Sequence, residues 1–212
     1  MSMLTLRQRL ADLRDRGVYA GWPNENRAIF IHVPKTAGTS VTRRLYAGPS
    51  RHVRCVEYLR ANPAKFEHFF KFAFVRNPWD RLVSSYEFLC HGGMNIADAA
   101  FFAAYVARYS DFRAFVLEGL SLPEIRAWIH FRPQVDFVCD DAGRNRMDVT
   151  GRFEHLAEDF ALIASRLGRS GELPKTNMSA RADYRSYYND ETRAVVAKLY
   201  RADIAAFGYT FD

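Results

Sequence analysis

The sequence predicts an α/β protein with a mainly parallel central sheet between two layers of helices. Two segments carry that prediction. Ala28 to Ser40 (AIFIHVPKTAGTS) and Phe69 to Tyr86 (FFKFAFVRNPWDRLVSSY) each run from a short apolar strand through a turn into a helix start, the order expected of parallel βα units. A third candidate strand, Met147 to Phe153, leads into another helical pattern, Glu154 to Leu167. No Gly/Ser-rich linker or internal repeat divides the 212 residues, so one domain over residues 1–212 is expected.

Each element has a local reason. Leu4 to Arg16 reads as a first helix that packs on its own domain. Ile29, Phe30, Ile31 and Val33 are the β-branched and aromatic residues of a buried strand, which the Pro34 to Gly38 turn ends. Thr39 or Ser40 is then the cap of a helix running to about Tyr46. In the second unit Phe72, Phe74 and Val75 end a strand, Asn77 before proline suits an N-cap, and Pro78 suits the first helical turn. Trp79, Leu82, Val83, Tyr86 and Leu89 recur at helical spacing as the packed face, which leaves Asp80, Arg81, Ser84 and Glu87 on other sides. Ala97 to Arg108 and Asp111 to Gly119 read as helices rich in Phe and Tyr, Val135 to Val138 as a strand, and Asp190 to Phe207 as one final helix.

The first turn is an anion cradle. The opening N–H groups of the helix after it have no partners within the helix, the helix dipole favours negative charge there, and Lys35 adds a mobile cation. An ordinary strand-to-helix turn with a solvated lysine is the alternative. In the second unit Arg76 at the strand end and Ser84 two turns along can converge on one oxyanion. The alternatives are an Arg76 pair with Asp80 and a surface hydroxyl at Ser84.

Together HVPKTAGTS and FVRNPWDRLVSSY resemble the two phosphosulfate-binding motifs of sulfotransferases that use 3′-phosphoadenosine 5′-phosphosulfate (PAPS), with the closer likeness to the carbohydrate branch in a soluble, bacterial form. HFRPQVDFV (130–138), GRFEHLAEDFALIASRLG (151–168) and LPKTNMSARADYRSYY (173–188) look like later blocks of these enzymes. The resemblance implies a P-loop-like three-layer fold and a PAPS co-substrate leaving as PAP, with no metal. It implies that Lys35, Thr36, Ala37, Gly38, Thr39 and Ser40 hold the 5′-phosphosulfate, and that Arg76 and Ser84 hold the 3′-phosphate. Lys175 and Ser179 correspond to the late loop that closes over the nucleotide.

In-line sulfuryl transfer to a hydroxyl needs a proton acceptor, and histidine titrates in the right range. His52, in a His-Val stretch between the two motifs, matches the base of the uronic-acid-type members. Glu57 is the fallback, because other members use a glutamate, and a plain loop histidine beside Arg51 and Arg54 is the alternative for His52. Lys35 stabilises charge on the leaving phosphate. His130, Arg132 and Gln134 either face the acceptor or form a structural turn. His32, inside the first strand, is expected to bond within the core. The remaining histidines show no metal-ligand spacing.

Composition narrows the partners. A net charge of +6 favours anionic ligands, but acids are interspersed with the bases and no nucleic-acid signature appears, so nucleic acid is not expected. Cys55, Cys90 and Cys139 lack CxxC or framework spacing, which fits reduced thiols in the cytoplasm. No stretch has the length of a transmembrane helix and the first residues lack a signal-peptide core. The expected acceptor is a carbohydrate or glycosylated small molecule. A P-loop nucleotide kinase is the rival enzyme, but its lysine directly follows the last glycine of GxxxxGK[ST], whereas Lys35 precedes Gly38 by three positions. A silent PAP- or polyanion-binding module is the non-enzymatic rival.

Overall fold

Three strands, β1 (Ala28–Ile31), β2 (Phe70–Val75) and β3 (Val149–Arg152), pair in parallel in the order β1-β2-β3. This computed structural model describes residues 3–13, 16–45, 51–170, 173 and 182–212. All four β1 residues are buried, as a strand covered on both faces requires. Phe30 and Phe72 face one another across the β1–β2 register, with rings stacked at 5.1 Å. That face packs on Trp22, Val41, Leu45, Phe160 and Ile163, contributed by the helices Trp22–Asn26, Gly38–Leu45 and Leu156–Arg166. Ile29, Ile31 and Ala73, which alternate with them, are equally buried.

The chain divides into two compact units, residues 1–75 with 134–176 and residues 76–133 with 177–212. The sheet belongs to the first, together with the helices Cys55–Ala61 and Pro63–His68. The second is helical. Pro78–Cys90 packs there with Ile96–Phe101, Phe112–Leu117 and Asp190–Leu199 around Trp79, Leu82, Val83, Phe115, Phe131 and Val196.

Several expectations hold and several need correction. Asn77 caps the Pro78–Cys90 helix by accepting from the Trp79 N–H at 3.1 Å. The Ala97 to Arg108 pattern is a helix, Ile96–Phe101, that continues as a π-helix, Phe102–Val106. Val135–Val138 is a short helix rather than a strand, closed by the Cys139 N–H on the Val135 carbonyl at 2.8 Å. Four apolar residues carry too little periodicity to separate a strand from a buried helical turn. The final segment is two helices, Asp190–Leu199 and Arg201–Phe207, because Tyr200 leaves helical geometry at ψ 24°. Arg81 is the largest departure: it is 1% exposed, not on a polar side.

Candidate active site

The strand-to-helix turn is strained where the sequence has no glycine. β1 ends at Ile31, and the Val33 N–H turns back on the Ile31 carbonyl at 3.1 Å. Lys35 (φ 68°) and Ala37 (φ 65°) both adopt left-handed backbone, which costs an L-residue about 1–3 kcal/mol each. Fully buried Thr36 between them donates its hydroxyl to the Val33 carbonyl at 2.9 Å and clamps the loop. Alternation of this kind turns successive N–H groups to one side, the geometry of an anion-binding nest.

The helix after the loop starts at Gly38, so Thr39 and Ser40 lie inside its first turn instead of capping it. Its first bonds run from the N–H groups of Ser40 and Val41 to the Ala37 carbonyl, at 2.9 and 3.2 Å. Thr39 is exposed, Ser40 is buried and Lys35 is half-buried. Gly38 has no left-handed torsion to justify it. Its reason is close approach: a Cβ there would sit 1.9 Å from Cδ2 and Nε2 of His32. His32 itself lies just past β1, buried, rather than inside the strand.

His52 belongs to the same unit. Its Nδ1 lies 2.8 Å from the main-chain carbonyl of His32, and the two imidazole centroids are 4.2 Å apart. A carbonyl only accepts, so Nδ1 carries the proton and the lone pair of the neutral ring is on Nε2. The helix that follows, Cys55–Ala61, is anchored at both ends. Glu57 accepts the Arg54 N–H at 3.2 Å and its Nε at 3.4 Å, which makes Glu57 a capping side chain. The Cys55 thiol donates to the Cys139 carbonyl at 3.0 Å, and Arg60 pairs with Asp141 at 2.8 Å. Burial pushes the Cys55 thiol up to about 12, so it is a packing residue and no nucleophile.

In the second unit Arg76 is buried at the head of the Pro78–Cys90 helix, with its Nε 2.8 Å from an Asp80 carboxylate oxygen. The helix start is tied down by the C-terminal segment. Asn77 donates to the Thr210 carbonyl at 2.7 Å, Trp79 donates to the Arg193 carbonyl at 3.1 Å, and the Tyr188 hydroxyl donates to the Trp79 carbonyl at 2.9 Å. The rings of Trp79, Tyr184 and Tyr188 all meet Phe211 edge-on. Ser84 is half-buried on the same helix.

The 130–134 block is tied into the fold at several points. His130 is buried, its Nε2 3.1 Å from Asp98, and its carbonyl accepts from Ser85 at 3.0 Å and Arg81 at 3.3 Å. Arg81 also donates to the Arg132 carbonyl, and the Tyr200 hydroxyl donates to that of Phe131 at 2.7 Å. Arg132 is half-buried with its Nη2 on the Ala127 carbonyl at 3.2 Å, and Gln134 is fully buried. Lys175 and Ser179 lie outside the described residues. The structure therefore brings His32 together with His52 on one side and Gly38 on another, and Arg76 together with Asp80. The Arg76–Asp80 pair is the alternative that the sequence offered for Arg76, whereas His32 was expected only to bond within the core and had no place in the site.

Among the described residues no group of three or more His, Cys, Asp or Glu is placed to hold a metal, and no helix is long and apolar enough to cross a membrane. A strained strand–loop–helix on a parallel sheet flanked by helices defines a P-loop-like α/β scaffold. A family model described as the Sulfotransferase family matches residues 23–210, and the chain belongs to that family. Sulfuryl transfer is thus its general chemistry. Searches of curated proteins and of solved structures found no match to the chain.

Proposed function

We propose that the protein transfers the sulfuryl group of PAPS to a hydroxyl of a carbohydrate or glycosylated small molecule in the cytoplasm. The observation that carries this reading is the PKTAG turn, which holds Lys35 and Ala37 in left-handed backbone within a chain of the Sulfotransferase family. Strain at non-glycine positions persists where the surroundings enforce it, and such positions cluster at ligand clamps. The residues present fit a phosphosulfate: a half-buried lysine, a nest of N–H groups, and a helix start kept narrow by Gly38. Three free thiols, one of them the exposed Cys90, support a reducing compartment.

PAPS supplies an activated sulfuryl group, and its transfer forms one S–O bond at the acceptor oxygen as the S–O bond to the 5′-phosphate breaks. His52 takes the acceptor's hydroxyl proton at Nε2, while its Nδ1–H stays on the His32 carbonyl and steadies the imidazolium. Lys35 and the loop N–H groups meet the charge that gathers on the 5′-phosphate. Arg76, held by Asp80, and Ser84 take the 3′-phosphate. Glu57, committed to its helix cap, is the weaker candidate for the base.

Calorimetry with PAP against ATP plus Mg²⁺ tests the nucleotide. PAP is expected to bind in preference, and preferential ATP binding would overturn the reading. A screen of glycans with labelled sulfate donor then identifies the acceptor.

A further inference from the structure

We infer that His32 is a positioning residue whose ring keeps the base His52 and the phosphosulfate loop in one fixed register. The inference rests on the proposed role of His52 and adds a residue to it. Four separate observations meet at this side chain, all within the first unit. His32 is only 6% exposed. Its ring stacks on Phe30, with centroids 5.6 Å apart and planes 14° from parallel. The His52 ring lies 4.2 Å away on a 45° tilt. Gly38 packs so close that any Cβ there would overlap the His32 ring.

The support behind His32 is rigid. Phe30 stacks on Phe72 at 5.1 Å and Phe72 on Phe70 at 5.6 Å, so a ladder of rings on one face of the sheet runs outward through His32 to His52. Residues two apart on a strand share a face, which is why Phe70 and Phe72 lie in line. His32 thus sets His52 in two ways. Its carbonyl fixes which nitrogen carries the proton, and its ring limits the tilt at which Nε2 is presented. The same ring fills the space a side chain at position 38 would need, so movement of the loop's helix start is felt at the base.

The packing of the planar ring is what His32→Phe keeps and His32→Ala removes. Histidine ¹⁵N and ¹³C NMR on the full chain reads the tautomer of His52 directly. Wild type and His32→Phe are expected to show His52 protonated on Nδ1. His32→Ala keeps the main-chain carbonyl and therefore the tautomer, but is expected to shift and broaden the His52 ring signals as the tilt is released, and to weaken PAP binding in calorimetry because the loop loses the ring it packs on. Turnover of labelled PAPS, with whichever glycan the screen identifies, should fall about a hundredfold in His32→Ala, the scale of a 1 Å misplacement, with most of it restored in His32→Phe. His52 ring chemical shifts in folded His32→Ala identical to wild type would overturn the inference, as would an unchanged kcat. The two readings fail separately. Full activity in His52→Ala removes the base, whereas the NMR result depends on His32 alone.

Discussion

Asp80 accepts the Nε–H of Arg76 over 2.8 Å, with both side chains largely withdrawn from water at 9% and 14% exposure. A pair this buried fixes the plane of the guanidinium, unlike an exposed ion pair that samples many geometries. The planar fork is what a phosphate recognises, and an ammonium cannot reproduce the Nε contact while reaching a ligand. Arg76→Ala is expected to weaken PAP binding by about 1.5–3 kcal/mol, roughly tenfold to a hundredfold, and Arg76→Lys to recover little of it. Calorimetric Kd values decide this, and wild-type affinity in either variant would remove Arg76 from the site.

Lys35 and His52 should behave differently from Arg76. Loss of one preorganised donor at a developing charge slows turnover by about a hundredfold to a thousandfold, so Lys35→Ala is expected to fall in kcat by that factor. His52→Ala should keep PAP affinity and lose turnover on the true acceptor. Steady-state kinetics with calorimetry separate the two effects. Full activity in His52→Ala would sink its role as base.

Gly38→Ala tests the close approach to His32. An added methyl would sit 1.9 Å from the imidazole, and flanking strain leaves the loop little room to give. Overpacking of this kind costs about 1–3 kcal/mol, and the displaced ring should carry the cost into PAP binding as well as into Tm. A variant that melts and binds like wild type would show that the loop yields freely.

Arg81 should matter for stability and not for nucleotide affinity. It is buried, donates to the carbonyls of His130 and Arg132, and lies 5.7 Å over the Tyr200 ring. Arg81→Met keeps volume but strands the Arg132 carbonyl, at a cost of about 3 kcal/mol for charge-assisted bonds lost in the interior. Thermal melts should drop by roughly 6–12 °C for a chain of this size. An unchanged Tm would mean that the turn at 130–132 holds without Arg81, through bonds such as those from Ser85 and Tyr200.

Stability should fall at both pH extremes for identifiable reasons. Burial opposes the ionisation of Asp140, but the Arg144 N–H and guanidinium, the Arg146 guanidinium and the Ala142 N–H outweigh it and hold the carboxyl down to about 2. The unfolded chain binds that proton first, so the contribution is present above the ordinary value of 3.8 and lost as pH falls toward 2. The Cys55 thiol is the reverse case. It is held near 12 by burial against an ordinary 9.0, so its contribution is complete below pH 9 and declines as pH rises above it. Unfolding followed against pH should show Asp140→Asn flattening the acid limb and Cys55→Ser the alkaline limb. Limbs that match wild type in both variants would assign the pH dependence elsewhere.

What local chemistry dictates was readable in the chain itself. The apolar run of β1, the PKTAGTS turn, the Asn77 cap before Pro78 and the β3-to-helix order all follow from residues a few positions apart. So did the likeness to sulfotransferases, because both motifs are contiguous strings. Tertiary structure decided the rest. Arg81 falls at a position where helical periodicity reads a solvated face, and carbonyls some fifty residues away make its burial favourable. Gly38 looks like a turn glycine, yet it is a glycine because the ring of His32 occupies the space beside it. The proton on Nδ1 of His52 likewise depends on a carbonyl twenty residues earlier, brought within 2.8 Å by folding. Periodicity and capping act over one or two turns of chain, whereas burial of a charge, close approach and tautomer choice are settled by neighbours that only folding brings into contact.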